Sequence, residues 1–298
     1  GFCLVGSEMC IRDSNYIDVY HRTGLYPIEL PSGLGLEASG VVEEIGSEVS
    51  LFKVGDRVSH ASAPISGYSE KQIMPEEKLV TVPEGISDEI ASCILLKGIT
   101  SEYLLHRSYA VKKGDKVLFH AAAGGVGQIL CQWANALGCE VIGTVGSKEK
   151  VEIAKKNGCH HVINYTDHNF VEEVEKIVGK NGIDVVYDGV GAKTFEGSIE
   201  CLKIRGMMVA FGNASGYVHT IDVKKHINTK GLFFTRPSIM HYTITRDELE
   251  KSAKLVFDAV LSGKIKIEVS KKYKLSEAKQ AHIDLENRIL TGPAVIIP

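Results

Sequence analysis

The rhythm of apolar and polar positions changes about a third of the way along the chain. Over residues 33–83 the apolar positions come in short runs, SGVVEEI, DRVSHA and KLVTVP, broken by glycine and proline. This punctuation predicts an irregular β-rich region. A helical stretch is predicted over 87–109. Beyond it, DKVLFH, EVIGTV, HVINY, IDVVYD and MMVAFG read as buried strands. They alternate with AAAGGVGQILCQWANALG (a glycine loop entering a helix), SKEKVEIAKKNG, NFVEEVEKIVGK and KTFEGSIECLK. Such alternation predicts βαβ units and a parallel sheet covered on both faces. GLFFTRP adds a strand, RDELEKSAKLVFDAVLSGK a final amphipathic helix, and residues 265–298 return to strand, helix and strand.

The predicted class is therefore α/β with two domains. A Rossmann-type doubly wound parallel sheet, residues 100–262, is inserted between two pieces of a β-rich domain, residues 15–99 and 263–298. A length of 298 residues suits two domains of roughly 150 residues each. Residues 1–14, GFCLVGSEMCIRDS, show neither helical nor strand period. They read as a non-native junction or, alternatively, as a divergent first strand.

Charge and cysteine content narrow the function classes. A formal net charge of −3 gives no electrostatic case for nucleic acid or for an anionic membrane surface. No apolar run reaches the roughly 18 residues needed to cross a bilayer. The seven cysteines are scattered, odd in number and without a C-x-x-C pair, which supports neither a disulfide framework nor a zinc knuckle. Reduced thiols and no secretory signal favour the cytoplasm. His160 and His161 are adjacent on a strand, so they point to opposite faces and cannot share one metal. Asp188 reads as a turn residue, and VEEVEK as a solvated helix face.

HAAAGGVG, residues 120–127, follows a predicted strand directly and precedes a helix. Aligned to G-x-G-x-x-G, Gly124 and Gly127 fill the second and third glycines and Ala122 the first. In this context the motif points to a dinucleotide, with pyrophosphate at the helix amino terminus. NAD sites carry an acidic residue at the end of the second strand to hold the ribose 2′-hydroxyl. Here that position reads TVGSKEK, with Gly146, Ser147, Lys148 and Lys150 and no carboxylate before Glu149. A hydroxyl and ammonium groups attract a 2′-phosphate. NADPH is the expected cofactor.

Together, NYIDVYHRTGLYP, PSGLGLEASGVVEEIG, GDRV, LKGIT, HAAAGGVG, TVGSKEK, VINY, VYDGVG, FGNASG and FTRPS resemble the zinc-free quinone oxidoreductases of the medium-chain dehydrogenase/reductase superfamily, the group that includes zeta-crystallin. The resemblance runs from residue 15 to residue 298. It implies a GroES-like catalytic domain around the Rossmann domain, with the family's usual opening strands expected to be missing here. It puts Asn15, Leu36 and Leu96–Lys97 where the zinc enzymes carry their metal ligands. Leucine cannot bind a metal, Asn15 and Lys97 are poor zinc ligands, and the nearby Cys93 lacks a histidine partner. No zinc is expected.

Without a Lewis acid nothing stabilises an alkoxide, so the expected reaction is hydride transfer from NADPH to an already electron-poor acceptor. A quinone is the first choice and an α,β-unsaturated carbonyl (alkenal or enone) the alternative. The resemblance implies a wall of Asn15, Tyr16, Ile17, Asp18 and Tyr20 beside the nicotinamide. Asn15, Tyr20 and Tyr26 are the candidate catalytic residues. The two phenols suit donation to a quinone oxygen, or else are half-buried packing residues. The implied cofactor contacts are Thr100, Tyr103, Gly125, Val126, the turn 146–150, Tyr165, Phe211, Gly212, Asn213, Arg236 and Arg288. Ser147 and Lys150 would meet the 2′-phosphate, and Tyr165 the adenine. The resemblance also leaves open a non-catalytic, cofactor-binding role of crystallin or RNA-binding type; the lack of a basic stripe counts against RNA. A homodimer through the edge strand GLFFT is expected.

Overall fold

The computed structural model describes residues 1–298, the side chains of Ser7, Glu8, Met9, Cys10 and Arg12 excepted. It divides into two compact units. Unit 1 comprises Gly1–Ile99 with Thr243–Pro298, and unit 2 comprises Thr100–Tyr242. Unit 1 opens with β1 (Phe2–Asp13), α1 (Tyr16–Thr23), β2 (Glu37–Ile45), β3 (Arg57–Ala61), β4 (Gln72–Pro75), β5 (Val80–Thr81) and α2 (Asp88–Tyr103), whose last four residues belong to unit 2. Unit 2 contains β6 (Lys116–His120), α3 (Gly125–Ala136), β7 (Glu140–Val145), α4 (Glu149–Lys156) and β8 (His161–Asn164), then α5 (Phe170–Val178), β9 (Ile183–Asp188), α6 (Phe195–Cys201), β10 (Leu202–Ala210) and β11 (Phe233–Thr235). The chain re-enters unit 1 with α7 (Arg246–Leu261), β12 (Lys271–Lys274), α8 (Ala278–Glu286) and β13 (Ala294–Ile297).

The sheet of unit 1 runs β12-β13-β1-β2-β3-β5, with β4 also against β1. Residues 2–13 thus form a strand, antiparallel to β2, β4 and β13. Its period is hard to see in the sequence because the register against β2 shifts between Leu4 and Val5 and again between Gly6 and Ile11. Each such irregularity interrupts the inward–outward alternation that marks a strand. Cys3, Val5, Val42, Val58 and Met74 nevertheless pack into one core cluster.

The helix α7 corrects the expected boundary at residue 262. It belongs with unit 1, where Arg246 Nη1 donates to the carbonyls of Glu76 (2.7 Å) and Leu79 (2.6 Å). Gly98 of α2 lies against Val256 of α7, so closely that a Cβ there would come within 2.5 Å of Val256 Cγ1. An amphipathic helix shows its apolar stripe in the sequence but not which domain covers it.

In unit 2 the sheet order is β11-β10-β9-β6-β7-β8, every pair parallel. This is the doubly wound arrangement, with its switch point beside β6. All six residues of the central strand β9 are buried, as a parallel strand covered on both faces requires. Leu118, Ile142, Ile163, Val186 and Met208 from the sheet pack with Val174, Phe195 and Ile199 from the helices.

Gly98→Ala should lower stability despite the better helix propensity of alanine, because overpacking typically costs about 1–3 kcal/mol against a propensity gain of roughly 1. Val256→Ala in the same chain should recover part of the loss. Denaturant unfolding of the single and double variants checks this; equal stability of Gly98→Ala and the parent would contradict the packing described.

Candidate functional site

In unit 2, β6 ends at His120, and Ala121 turns the chain in left-handed backbone (φ 61°). Gly124 then caps α3, with Gly125 as its first helical residue. The amides of Gly125, Val126 and Gly127 are the unpaired N–H groups that open a helix, next to the positive end of its dipole. Gly127 is required by close approach: a Cβ there would lie 2.6 Å from the carbonyl oxygens of both Ala121 and Ala122. A helix docked this tightly on a strand end can cradle an anion.

The tip of β7 continues into Gly146 and Ser147. Tyr165 stands beside it, its hydroxyl so close that a Cβ on Gly146 would come within 2.5 Å, and Thr166 Oγ1 donates to the Gly146 carbonyl at 3.0 Å. The Glu149 carboxylate takes a hydrogen bond from the Ser147 side chain, and that bond, its own backbone N–H, Lys148 and Lys150 hold its pKa below the ordinary glutamate range. The single carboxylate of the turn is thereby engaged with its neighbours. This cradle, with a hydroxyl and lysines at the second strand tip, fits a dinucleotide bearing a 2′-phosphate.

Phe211 and Gly212 follow β10, their N–H groups donating to the Asp188 carbonyl at 2.9 and 3.3 Å. With its amide oriented to satisfy both neighbours, Asn213 donates to the Gly212 carbonyl and accepts from Arg236 Nη2, each at 3.0 Å. Arg236 is therefore engaged with Asn213 and with the Pro237 carbonyl. Asp188 serves its turn, accepting from Val190, Gly191 and Thr194. Tyr103 is only 2% exposed, its ring stacked on Tyr242 at 4.4 Å, and Thr100 hydrogen-bonds to its side chain. In this pair Tyr242 covers one face of the ring of Tyr103, the residue that the resemblance implies as a cofactor contact.

In unit 1, α1 is capped by Asn15, whose N–H donates to Asp18 Oδ2 at 2.9 Å. Asp18 Oδ1 accepts from Leu36 N at 3.2 Å, and Tyr68 Oη reaches Oδ2 at 3.4 Å. Asp18 is fully buried. Burial pushes its carboxyl up to about 6 against the pull of these hydrogen bonds. Asp18 accordingly fastens α1 to the start of β2 through its buried carboxyl, at a position that the resemblance implies in the wall beside the nicotinamide. Tyr16, Tyr20 and Tyr26 do come together: their ring centroids are 5.3 Å apart for the first pair and 5.0 Å for the second. All three are half-buried, as is Ile17. Arg288 also lies in unit 1, exposed, in left-handed backbone after α8.

Leu36 is buried. Next to it, Glu37 accepts from Asn15 Nδ2 at 2.9 Å through Oε2 and from Leu96 N at 2.8 Å through Oε1. Complete burial, with a smaller contribution from the charge of Asp18, pushes the Glu37 carboxyl up to about 8. Cys93 points away into a core cluster with Ile11 and Val295, and Lys97 Nζ pairs with the Asp13 carboxylate. Among the described residues no group of three or more His, Cys, Asp or Glu side chains is arranged to hold a metal ion. Sequence reasoning named Glu37 only as part of a motif and passed over Tyr68 and His282, whose side chains meet at 3.1 Å. A carboxylate opening a strand whose next five residues are small or apolar was the available signal for the first. The other two had none.

Residues 125–258 match the family model described as zinc-binding dehydrogenase, and residues 9–115 that of the alcohol dehydrogenase GroES-like domain. The chain is 45% identical to a quinone oxidoreductase of Pseudomonas aeruginosa over 95% of its own length and 88% of that protein. It is 44% identical to a 2-haloacrylate reductase of Burkholderia sp, over 95% of this chain and 87% of the other. The crystal structure of Escherichia coli quinone oxidoreductase complexed with NADPH superposes with a TM-score of 0.95 at 44% identity, over 100% of this chain and 91% of that one. A capped glycine cradle, a GroES-like unit with a leucine at the metal position, and this level of likeness together make the chain a member of the quinone oxidoreductase family of medium-chain dehydrogenases/reductases.

Proposed function

We propose that the protein reduces quinones with NADPH, without a metal. The observation that carries this reading is the end of β7, where Gly146 and Ser147 precede two lysines and the carboxylate of Glu149 is held by its own turn. NADPH supplies a hydride when bound. The amino terminus of α3 would hold the pyrophosphate, Ser147 and Lys150 would attract the 2′-phosphate, and Tyr165 would meet the adenine. Phe211, Gly212 and Asn213 serve the nicotinamide side, with Arg236 steadying Asn213.

On the acceptor side, Asn15, Tyr20 and Tyr26 are the groups that offer hydrogen bonds to an oxygen gaining negative charge. The side chain at position 36 is a hydrocarbon, so polarisation of the acceptor falls to these neutral donors. That suits a substrate already electron-poor, which needs orientation more than activation. The likeness to a 2-haloacrylate reductase favours a second acceptor class, α,β-unsaturated carboxylates and carbonyls. The buried reduced thiols support a cytoplasmic setting. The strand β11 ends the sheet of unit 2, with Phe233 58% exposed, and an apolar free edge of this kind supports a homodimer through it.

Absorbance at the NADPH band, with 1,4-benzoquinone and with 2-chloroacrylate as rival acceptors, tests the reading. NADPH loss that depends on quinone, is slower with NADH and is indifferent to a chelator is the expected result. Consumption with the haloacrylate alone would establish the second class, and none with either would overturn both. Ser147→Asp should raise the NADPH KM about tenfold or more, by like-charge repulsion at the 2′-phosphate, and bring the NADH and NADPH values together. Unchanged cofactor preference in this variant would remove Ser147 from the site.

A further inference from the structure

Asn15 is held from two sides by buried acids. Its backbone N–H is pinned to Asp18, and its side-chain amide meets Glu37. Of the two Glu37 oxygens, Oε1 is committed to the Leu96 N–H, so only Oε2 faces Asn15. The backbone of Asn15 is thus fixed while its amide can turn over, since the two ends of an amide have nearly the same shape and opposite hydrogen-bonding character. The separation of 2.9 Å suits either an N–H donated to Oε2 or an O–H donated by it.

We propose that Glu37 is a positioning residue whose protonation sets which end of the Asn15 amide is left for the acceptor. When Glu37 is neutral, its Oε2–H donates to Asn15 Oδ1, and the Asn15 NH2 group is free to donate to the oxygen that gains charge. When Glu37 loses its proton to solvent, it accepts from Asn15 Nδ2, and Asn15 presents a carbonyl oxygen that repels the same charge. The inference rests on the reading of Asn15 as an acceptor-side donor.

The surroundings favour the neutral acid near pH 7. Glu37 is wholly buried. The ionisable groups on the elements packed against it are Asp18 on α1, Cys93 and the Lys97–Asp13 pair at α2 and β1, and His60 on β3, with Tyr68 beyond Asp18. The Asp18 charge disfavours a second anion, and Glu37 in turn helps hold the Cys93 thiol up. Burial lowers His60 to about 4, leaving it neutral, and Lys97 already has Asp13 as its partner. The folded value of about 8 for Glu37 means the acid form is present below that pH and is lost as pH rises through it.

The test is the pH profile of kcat/KM for quinone from pH 6 to 10, with NADPH affinity and Tm followed in parallel. The parent should fall about tenfold between pH 7 and pH 9, following loss of the acid form. Glu37→Ala should lose about tenfold or more at pH 7. Glu37→Gln should rescue it and abolish the alkaline fall, because its amide NH2 donates to Asn15 Oδ1 at every pH while its oxygen accepts from Leu96. A Gln variant that keeps the fall, or that stays as impaired as Ala with NADPH affinity and Tm intact, overturns the inference.

Asn15→Ala separates the two readings. Unchanged turnover removes Asn15 from the site and the inference with it, whereas a damaged Asn15→Ala beside a Gln variant that keeps the fall sinks the inference alone. Should the Glu37 variants fail to fold, infrared spectroscopy of the parent decides. A protonated-carboxyl C=O band must disappear between pH 7 and 9, and absence of such a titrating band contradicts the mechanism.

Discussion

The candidate site of unit 1 depends on one buried carboxyl. Glu37 accepts a hydrogen bond from the start of α1 through Asn15 and another from α2 through Leu96, and it belongs itself to β2. These are the three segments in which the resemblance locates the metal ligands of zinc relatives. Where those enzymes tie the segments through an ion, this chain ties them through one buried carboxyl hydrogen-bonded to Asn15 and to Leu96. Removing one partner from such a buried arrangement leaves a polar group unsatisfied, at a cost of about 1–3 kcal/mol or more. The tie is therefore structural before it is functional, and the positions of Asn15 and of the tyrosine cluster on α1 follow from it.

Unit 2 meets a different constraint. A phosphate site made of backbone N–H groups requires a helix to begin against the end of a strand, and only glycine at position 127 leaves room for it. The parallel sheet then brings the tips of β6 and β7 side by side, since the two strands pair in register from Lys116↔Glu140 to His120↔Thr144. The residues that select the cofactor sit just past the second tip, and selection falls to short-range charge and hydrogen bonding at Ser147 to Lys150.

Much of this was legible in the chain because it is local. The strand–glycine loop–helix at 116–136, the alternation that follows and the carboxylate-free tip of β7 are all encoded within a few consecutive residues. What could not be read depends on distant partners. The first strand is masked by its register shifts against β2. The domain to which α7 belongs is decided by Gly98 and Arg246 contacts across more than a hundred positions. Tyr103 and Asp18 carry the residue types of a binding site, yet Tyr242 covers one and three hydrogen bonds consume the other. Arg236, implied as a cofactor contact, is met by Asn213. Residue identity reveals capacity, and only the fold reveals which capacities are already taken.

Hydride delivery to a quinone at a site built from neutral donors is the central claim, and single-turnover stopped-flow kinetics tests it most directly. The protein is loaded with NADPH, either unlabelled or deuterated at the transferring position of nicotinamide C4, and mixed with benzoquinone in metal-free buffer. The account predicts acceptor-dependent decay of the NADPH band, slowed by deuterium, with one hydroquinone formed per cofactor consumed. Decay that appears only when zinc is restored, or no decay on adding quinone, would contradict it.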